Sequence, residues 1–279
     1  MRHRNRLYHL MLVIPFLLAA CADTGPDSTG QTSQEMSGRH QWKRPATLFA
    51  ALGASVTYGI GSTNEIGFVK PFRWYLMFDL ATHGRIEWVH LDNAAVPGAT
   101  SDDIINDQLQ GVLDEIPLYK HGTVALVGSD GGGNDLRGFL NSPDFAICFQ
   151  PDQTECFMRI GAILQHFYVN FATTVGSVRA AIGPDAPLIV TTQYNPMLKS
   201  ACDPSGMVGP LASGVFEGPN GFNDVVRAVA AQYGAIVVDT FYPLAADPEN
   251  LINDDCIHPN DAGYAVIFNQ LVDTWEANY

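Results

Sequence analysis

Basic residues are scarce in this chain: 15 Lys and Arg stand against 29 Asp and Glu in 279 residues, a formal net charge of −14. Three of those cations, Arg2, Arg4 and Arg6, lie in the first 20 residues, which carry no acid. The rest of the chain therefore holds 12 cations against 29 anions, or −17. A balance this acidic argues against nucleic acid or anionic lipid as a partner, because both are bound through clustered cations. Cysteine is scarce too. There are five and no C-x-x-C pair, which removes a usual spacing of zinc ligands. No apolar run approaches the roughly 20 residues that span a bilayer. No G-x-S-x-G occurs, so the nucleophile turn of the α/β-hydrolases is absent, and there is no internal repeat.

What is present begins with an export leader. Arg2, Arg4 and Arg6 form a positive n-region, residues 10–20 (LMLVIPFLLAA) an apolar h-region, and small residues precede Cys21. Leu18-Ala19-Ala20-Cys21 has the form of a bacterial lipoprotein cleavage box, which predicts removal of residues 1–20 and a membrane anchor through lipidated Cys21. An ordinary secretory signal is the alternative; either way the chain is exported, to the periplasm or cell surface. Residues 21–44, rich in Ser, Thr, Gly and Gln without apolar periodicity, read as a flexible tether. Residues 45–279 suffice for one sizeable core. They hold Cys148, Cys156, Cys202 and Cys256, an even number that predicts disulfides in an exported protein. Proximity favours Cys148–Cys156 and hence Cys202–Cys256, with buried thiols as the alternative.

Continuous apolar runs at 47–52, 86–91, 123–127, 188–192 and 235–239 predict strands buried on both faces of a mostly parallel sheet. Helical periodicity fills the intervals near 68–82, 101–115, 156–182 and 221–232, and a last helix near 261–277 follows Asn260-Asp261, either of which can cap it. Five strands alternating with helices predict a three-layer α/β/α sandwich. Functional groups in such sheets gather at the carboxyl ends of strands. Ser55 and Asn134 each follow a strand end, and Gly98 follows the second strand by a few residues. Two stretches, 137–155 and 194–218, read as long loops. Their apolar residues (Phe139, Leu140, Phe145, Ile147 and Phe149; Met197, Leu198, Met207, Leu211 and Phe216) either shape a pocket or cover the sheet edge.

Four blocks carry residues suited to acyl transfer, which needs a nucleophile, an oriented base and donors for an oxyanion. They are FAALGASVTYGIG with Ser55, NAAVPGATS with Gly98, GSDGGGNDL with Asn134, and DDCIHPNDAGY with Asp255 and His258. In order and spacing these resemble the SGNH hydrolase superfamily, the GDSL esterases and lipases, over residues 47–264. The resemblance implies a flavodoxin-like fold and an ester hydrolase without metal or organic cofactor. Its substrates would be small esters with acyl, aryl or acetylated-sugar groups. It implies that Ser55 attacks the carbonyl, His258 moves the proton and Asp255 orients the imidazole. The oxyanion would meet the N–H groups of Ser55 and Gly98 and the amide of Asn134.

One position departs from the family pattern: the aspartate between Gly and Ser is Ala54 here. Taken singly, each residue has a plainer reading. Ser55 suits a turn or cap, Gly98 after Pro97 an ordinary turn, and Asn134 a solvated loop. Asp254 or Asp261 could replace Asp255 beside His258. Two rival functions follow from these readings. One is a non-catalytic surface lipoprotein that binds a glycan or ester-like ligand. The other is a metal-dependent phosphoesterase built on Asp130, Asp135, Asp255 and His258.

Overall fold

The computed structural model describes residues 44–85, 87–206 and 208–279. The expected leader 1–20, Cys21, the expected tether as far as residue 43, Ile86 and Met207 lie outside the described residues. Arg44, assigned above to the tether, belongs to the fold: it bridges Tyr119 and pairs with Glu115 at 3.2 Å.

The strands are β1 (Ala46–Leu52), β2 (Trp88–Asn93), β3 (Thr123–Val127), β4 (Leu188–Thr191) and β5 (Ile236–Val238). They pair in the order β2-β1-β3-β4-β5, and every pair is parallel. The first helices are α1 (Ser55–Tyr58), α2 (Val69–Thr82) and α3 (Ser101–Asp103), the last continuing through a π-helical stretch, Ile104–Leu109, into α4 (Gln110–Glu115). Then come α5 (Asp130–Leu140), α6 (Thr154–Ile182), α7 (Val208–Glu217) and α8 (Phe222–Tyr233). The series ends with α9 (Phe241–Ala245), α10 (Pro248–Leu251) and α11 (Asp261–Asn278).

Alternate residues of a strand serve opposite layers. Leu48, Ala50 and Leu52 share one core with Phe167, Phe171 and Val175 of α6 and Val226 and Val229 of α8. Phe49 and Ala51 share the other with Phe72 and Leu76 of α2 and Ile267, Leu271 and Trp275 of α11. Both faces of the sheet are thereby covered, and the α/β/α sandwich is the fold. Each of the Val, Leu, Ile and Phe side chains among them contributes about 1.5–3 kcal/mol on full burial. The strand order reverses between β1 and β3, and the crevice outside the carboxyl ends at that point is where sheets of this kind bind ligands. No described helix is long and apolar enough to cross a membrane.

Four stretches differ from expectation. β2 runs on into Asp92 and Asn93, in register with Ala50 and Ala51, because an edge strand tolerates polar side chains. Asp130 to Gly133, outside the helices expected from the sequence, begin a helix. Each helical glycine costs roughly 1 kcal/mol against alanine, but a Cβ on Gly131 would strike Ile104, and one on Gly132 would strike Phe167 and Phe222. Close packing of α5 thus overrides propensity. The expected loop 194–218 contains α7, whose Val208, Leu211, Ala212, Val215 and Phe216 recur at helical spacing. In 137–155, the first residues complete α5 and Pro143–Phe149 forms 3-10 turns.

Two disulfides are present, Cys148–Cys156 and Cys202–Cys256, at sequence separations of 8 and 54. The first sits in a satellite core with Phe139 and Ile160. Loop closure assigns them roughly 2.5 and 4 kcal/mol respectively. Urea unfolding of Cys202→Ser/Cys256→Ser is therefore expected to lose about 1–2 kcal/mol more stability than that of Cys148→Ser/Cys156→Ser; equal losses would contradict the loop-entropy account.

Candidate active site

β1 delivers Ser55 to the carboxyl end of the sheet as the first residue of α1. Just before it, both backbone polar groups of Gly53 are gripped by one buried side chain. The Gly53 N–H donates to Gln108 Oε1 at 3.1 Å, and the Gly53 carbonyl accepts from Gln108 Nε2 at 2.9 Å. Gln108 lies in the π-helical stretch, a widened turn of a kind frequent at functional sites.

The first turn of a helix leaves backbone N–H groups without helical partners. In α1, those of Val56 and Thr57 donate to Asp130 Oδ2 at 3.0 and 2.9 Å, and Thr57 Oγ1 donates to Asp130 Oδ1 at 3.0 Å. Asp130 opens α5 just beyond β3 and is buried. Burial pushes its carboxyl above the usual carboxylate range, against the pull of the Thr57 and Ala54 N–H groups and the Thr57 hydroxyl. The Ser55 N–H has no partner among the described residues.

One turn further along α5, Asn134 Nδ2 donates to the Ala99 carbonyl at 2.8 Å, and the Ser101 N–H donates to Asp135 Oδ1 at 3.2 Å. Burial raises the Asp135 carboxyl, with the Ser101 donors opposing. The two contacts hold the loop that starts at Gly98 (φ 84°) and ends in the capping box of Thr100 and Asp103. Gly98 is exposed, and its N–H is without a partner among the described residues. An amide nitrogen carries two hydrogens, so Asn134 keeps one donor beyond its bond to Ala99.

Asp255 and His258 come from the turn between α10 and α11. Asp255 Oδ1 accepts the N–H groups of Ile257 and His258, both at 3.0 Å, and Oδ2 meets His258 Nδ1 at 2.5 Å. Burial disfavours the Asp255 charge, but the N–H and imidazole of His258 and the Ile257 N–H outweigh it, leaving the carboxyl below its usual range. The neighbouring acids are engaged elsewhere, Asp254 with Lys199 Nζ at 2.6 Å and Asp261 with the Thr63 N–H at 2.7 Å. Several bonds pin the turn. Tyr194 Oη donates to the Ile257 carbonyl at 2.5 Å, Lys199 Nζ to that of Ile252 at 2.8 Å, and Asn253 Nδ2 to that of Gly61 at 2.8 Å. Cys256 is tied to Cys202. Gly61 (φ 97°) admits the turn, since a Cβ there would lie 2.7 Å from His258 Cβ.

Between these parts lies a cavity of about 290 Å³. Ser55, Asn134 and Asp255 contribute to its wall, whereas Gly98 and His258 do not. Leu136, Leu140, Met197, Ala212 and Phe216 form its apolar side. Of the other loop residues expected near a pocket, Phe139, Phe145, Ile147 and Leu211 pack into the satellite core. Ser55 Oγ makes no hydrogen bond with His258 or any other described residue. Asp130, Asp135, Asp255 and His258 do not converge: among the described residues no three His, Cys, Asp or Glu side chains could hold a metal ion. Sequence reasoning missed Gln108, Tyr194 and Lys199. Gln108 alone had a signal, a polar residue at the helical spacing of Ile104 and Val112.

The sequence matches the model of the GDSL-like Lipase/Acylhydrolase family over residues 51–266. The chain belongs to that family. As a GDSL-family protein it is an ester hydrolase. Its fold is similar to that of a lipase from a goat rumen metagenome, with a TM-score of 0.60 at 18% identity over 82% of this chain and 97% of that one. An extracellular lipase of Streptomyces rimosus gives 0.53 at 17% identity, over 82% and 100%. An acetyl xylan esterase of Geobacillus stearothermophilus gives 0.51 at 14% identity, over 84% and 96%. A comparison with curated proteins gave no match.

The depressed Asp255 carboxyl contributes stability that is present above the ordinary aspartate range, near pH 4, and is lost as pH falls through its lowered value. Thermal melts of the wild type and Asp255→Asn should therefore differ most near neutrality and converge as pH falls well below the ordinary aspartate range. A gap that widens in acid would reverse the assignment.

Proposed function

We propose that this GDSL-family protein hydrolyses carboxylic esters through an acyl-Ser55 intermediate. The observation that carries the reading is the His258–Asp255 couple, whose acid borders the same cavity as Ser55, together with the Ser55 and Gly98 N–H groups, which have no partner among the described residues. Asp255 accepts from His258 Nδ1, which leaves Nε2 as the basic nitrogen. His258 takes the proton as Ser55 Oγ bonds to the carbonyl carbon, then returns it to the alkoxide as the alcohol leaves. Water, deprotonated by the same imidazole, splits the acyl ester and regenerates Ser55. The oxyanion of each tetrahedral intermediate meets the Ser55 and Gly98 N–H groups and the remaining Asn134 N–H. Ser55 and His258 come within hydrogen-bonding distance when substrate is bound, as catalytic pairs that are loose without ligand commonly do.

The apolar wall from Leu136 to Phe216 suits an acyl chain, and about 290 Å³ lies at the small end of ligand sites. Short to medium acyl esters fit it better than bulky ones. The anchor predicted at Cys21 places this activity at a membrane surface, and Cys21→Ser should move the protein from the membrane fraction to the soluble one. Continued membrane association would remove the lipid anchor from the reading.

A fluorophosphonate probe should modify Ser55, seen by peptide mass spectrometry, and Ser55→Ala should lose both labelling and hydrolysis of p-nitrophenyl acetate while keeping its melting temperature. Retained turnover would take Ser55 out of the mechanism. Asn134→Ala should lower kcat by about 10²-fold or more at little cost in KM. A change confined to KM would make Asn134 a binding residue instead.

A further inference from the structure

Asp130 takes no part in the steps above, yet the fold is built tightly around it. A Cβ on Gly53 or on Gly128 would collide with Asp130 Oδ1 and Thr57 Oγ1, so the ends of β1 and β3 close over the carboxylate. Thr57 is itself 1% exposed. No Lys, Arg or His among the described residues pairs with Asp130. Its charge is met by dipoles at the start of α1, the N–H groups of Val56 and Thr57 and the hydroxyl of Thr57. An anion at a helix N-terminus is a favourable arrangement.

This arrangement divides the N–H groups of α1. Those of Val56 and Thr57 turn back to Asp130, and that of Ser55 is left over. Position 54 is alanine, so the Gly53–Ser55 segment carries no carboxylate of its own; the one it has arrives from 74 residues beyond Val56. We propose that Asp130 is the positioning residue of the Ser55 turn: by fixing the Val56 and Thr57 N–H groups, its carboxylate aims the Ser55 N–H and Oγ at the cavity. Without it, the buried Thr57 N–H and the part-buried Val56 N–H would lose their acceptor. The turn would rotate to satisfy them and carry Ser55 with it. The inference rests on Ser55 being the nucleophile.

Three variants test it, each with kcat, KM and the rate of fluorophosphonate labelling at Ser55 measured on protein shown to be folded by circular dichroism. Asp130→Ala removes the acceptor, and kcat and labelling are expected to fall at least 100-fold with KM within twofold. Asp130→Asn keeps an oxygen for both N–H groups and lets its amide donate to the Thr57 hydroxyl, so it should recover kcat to within about tenfold of wild type. A folded Asp130→Ala with kcat within threefold of wild type would overturn the proposal. So would an Asn variant as slow as the Ala variant, since acceptor geometry would then not be the cause. Should Asp130→Ala not fold, Thr57→Val decides, because it removes one donor and frees the carboxylate to turn. A three- to tenfold loss in kcat at constant KM is expected, and an unchanged kcat sinks the idea. Wild-type enzyme that turns over esters without labelling at Ser55 would instead refute the serine mechanism itself, which separates the two failures.

Discussion

A carboxylate leaves water only where other donors replace its hydration. Asp130 receives three from a single helical turn, and that requirement organises the carboxyl end of the sheet. The donors belong to α1 and the acceptor to α5, so the ends of β1 and β3 are clamped together where the strand order reverses. The clamp leaves no room for side chains at positions 53 and 128, both glycine. It also sets the pitch of α5. With residue 130 facing the Ser55 turn, Asn134 and Asp135 reach the Gly98 loop one turn later, and Leu136 and Leu140 face the cavity. One helix thereby spaces three parts of the site from a single buried anchor.

The turn bearing Asp255 and His258 is secured by different means. It has no strand of the sheet beneath it and stays in place through separate attachments from Tyr194, Lys199, Asn253 and Cys202. Most of these act on backbone carbonyls, so they fix where the turn lies and leave the imidazole to Asp255 alone. The pair Asp255–His258 consequently behaves as a preassembled unit docked against a frame. Tyr194 is buried, and burial drives its phenol well above the ordinary range, which keeps it a donor to Ile257 at any physiological pH.

The architecture was legible in the chain because its strands are continuous apolar runs and its long helices are periodic; Phe49 or Leu271 could hardly sit elsewhere. Ser55 and Asn134 stood out through their distance from strand ends, and Asp255 and His258 through the order and spacing of the four blocks. What escaped was set by tertiary contact. Gly131 and Gly132 argue for a loop until Ile104, Phe167 and Phe222 are seen to demand bare backbone. Asp130 read as a metal-ligand candidate, since nothing in its neighbourhood announces that it faces a helix 74 residues away. Lys199 and Tyr194 lie in a stretch without periodicity and touch carbonyls, which leave no trace in a sequence. The helix α7 could have been found from its spacing and was hidden only by flanking proline and glycine.

The bonds that close the site join the two ends of the domain. Thr63 reaches Asp261 across 198 residues, and Tyr264 Oη reaches the Ile60 carbonyl across 204. Contacts so distant along the chain form slowly. Under the proposed chemistry Ser55 has no base until the segment bearing His258, 203 residues further along the chain, is in place. A chain in which that segment is missing or unfolded would therefore be inert. Turnover would thus report that two distant segments have met as much as it reports catalysis.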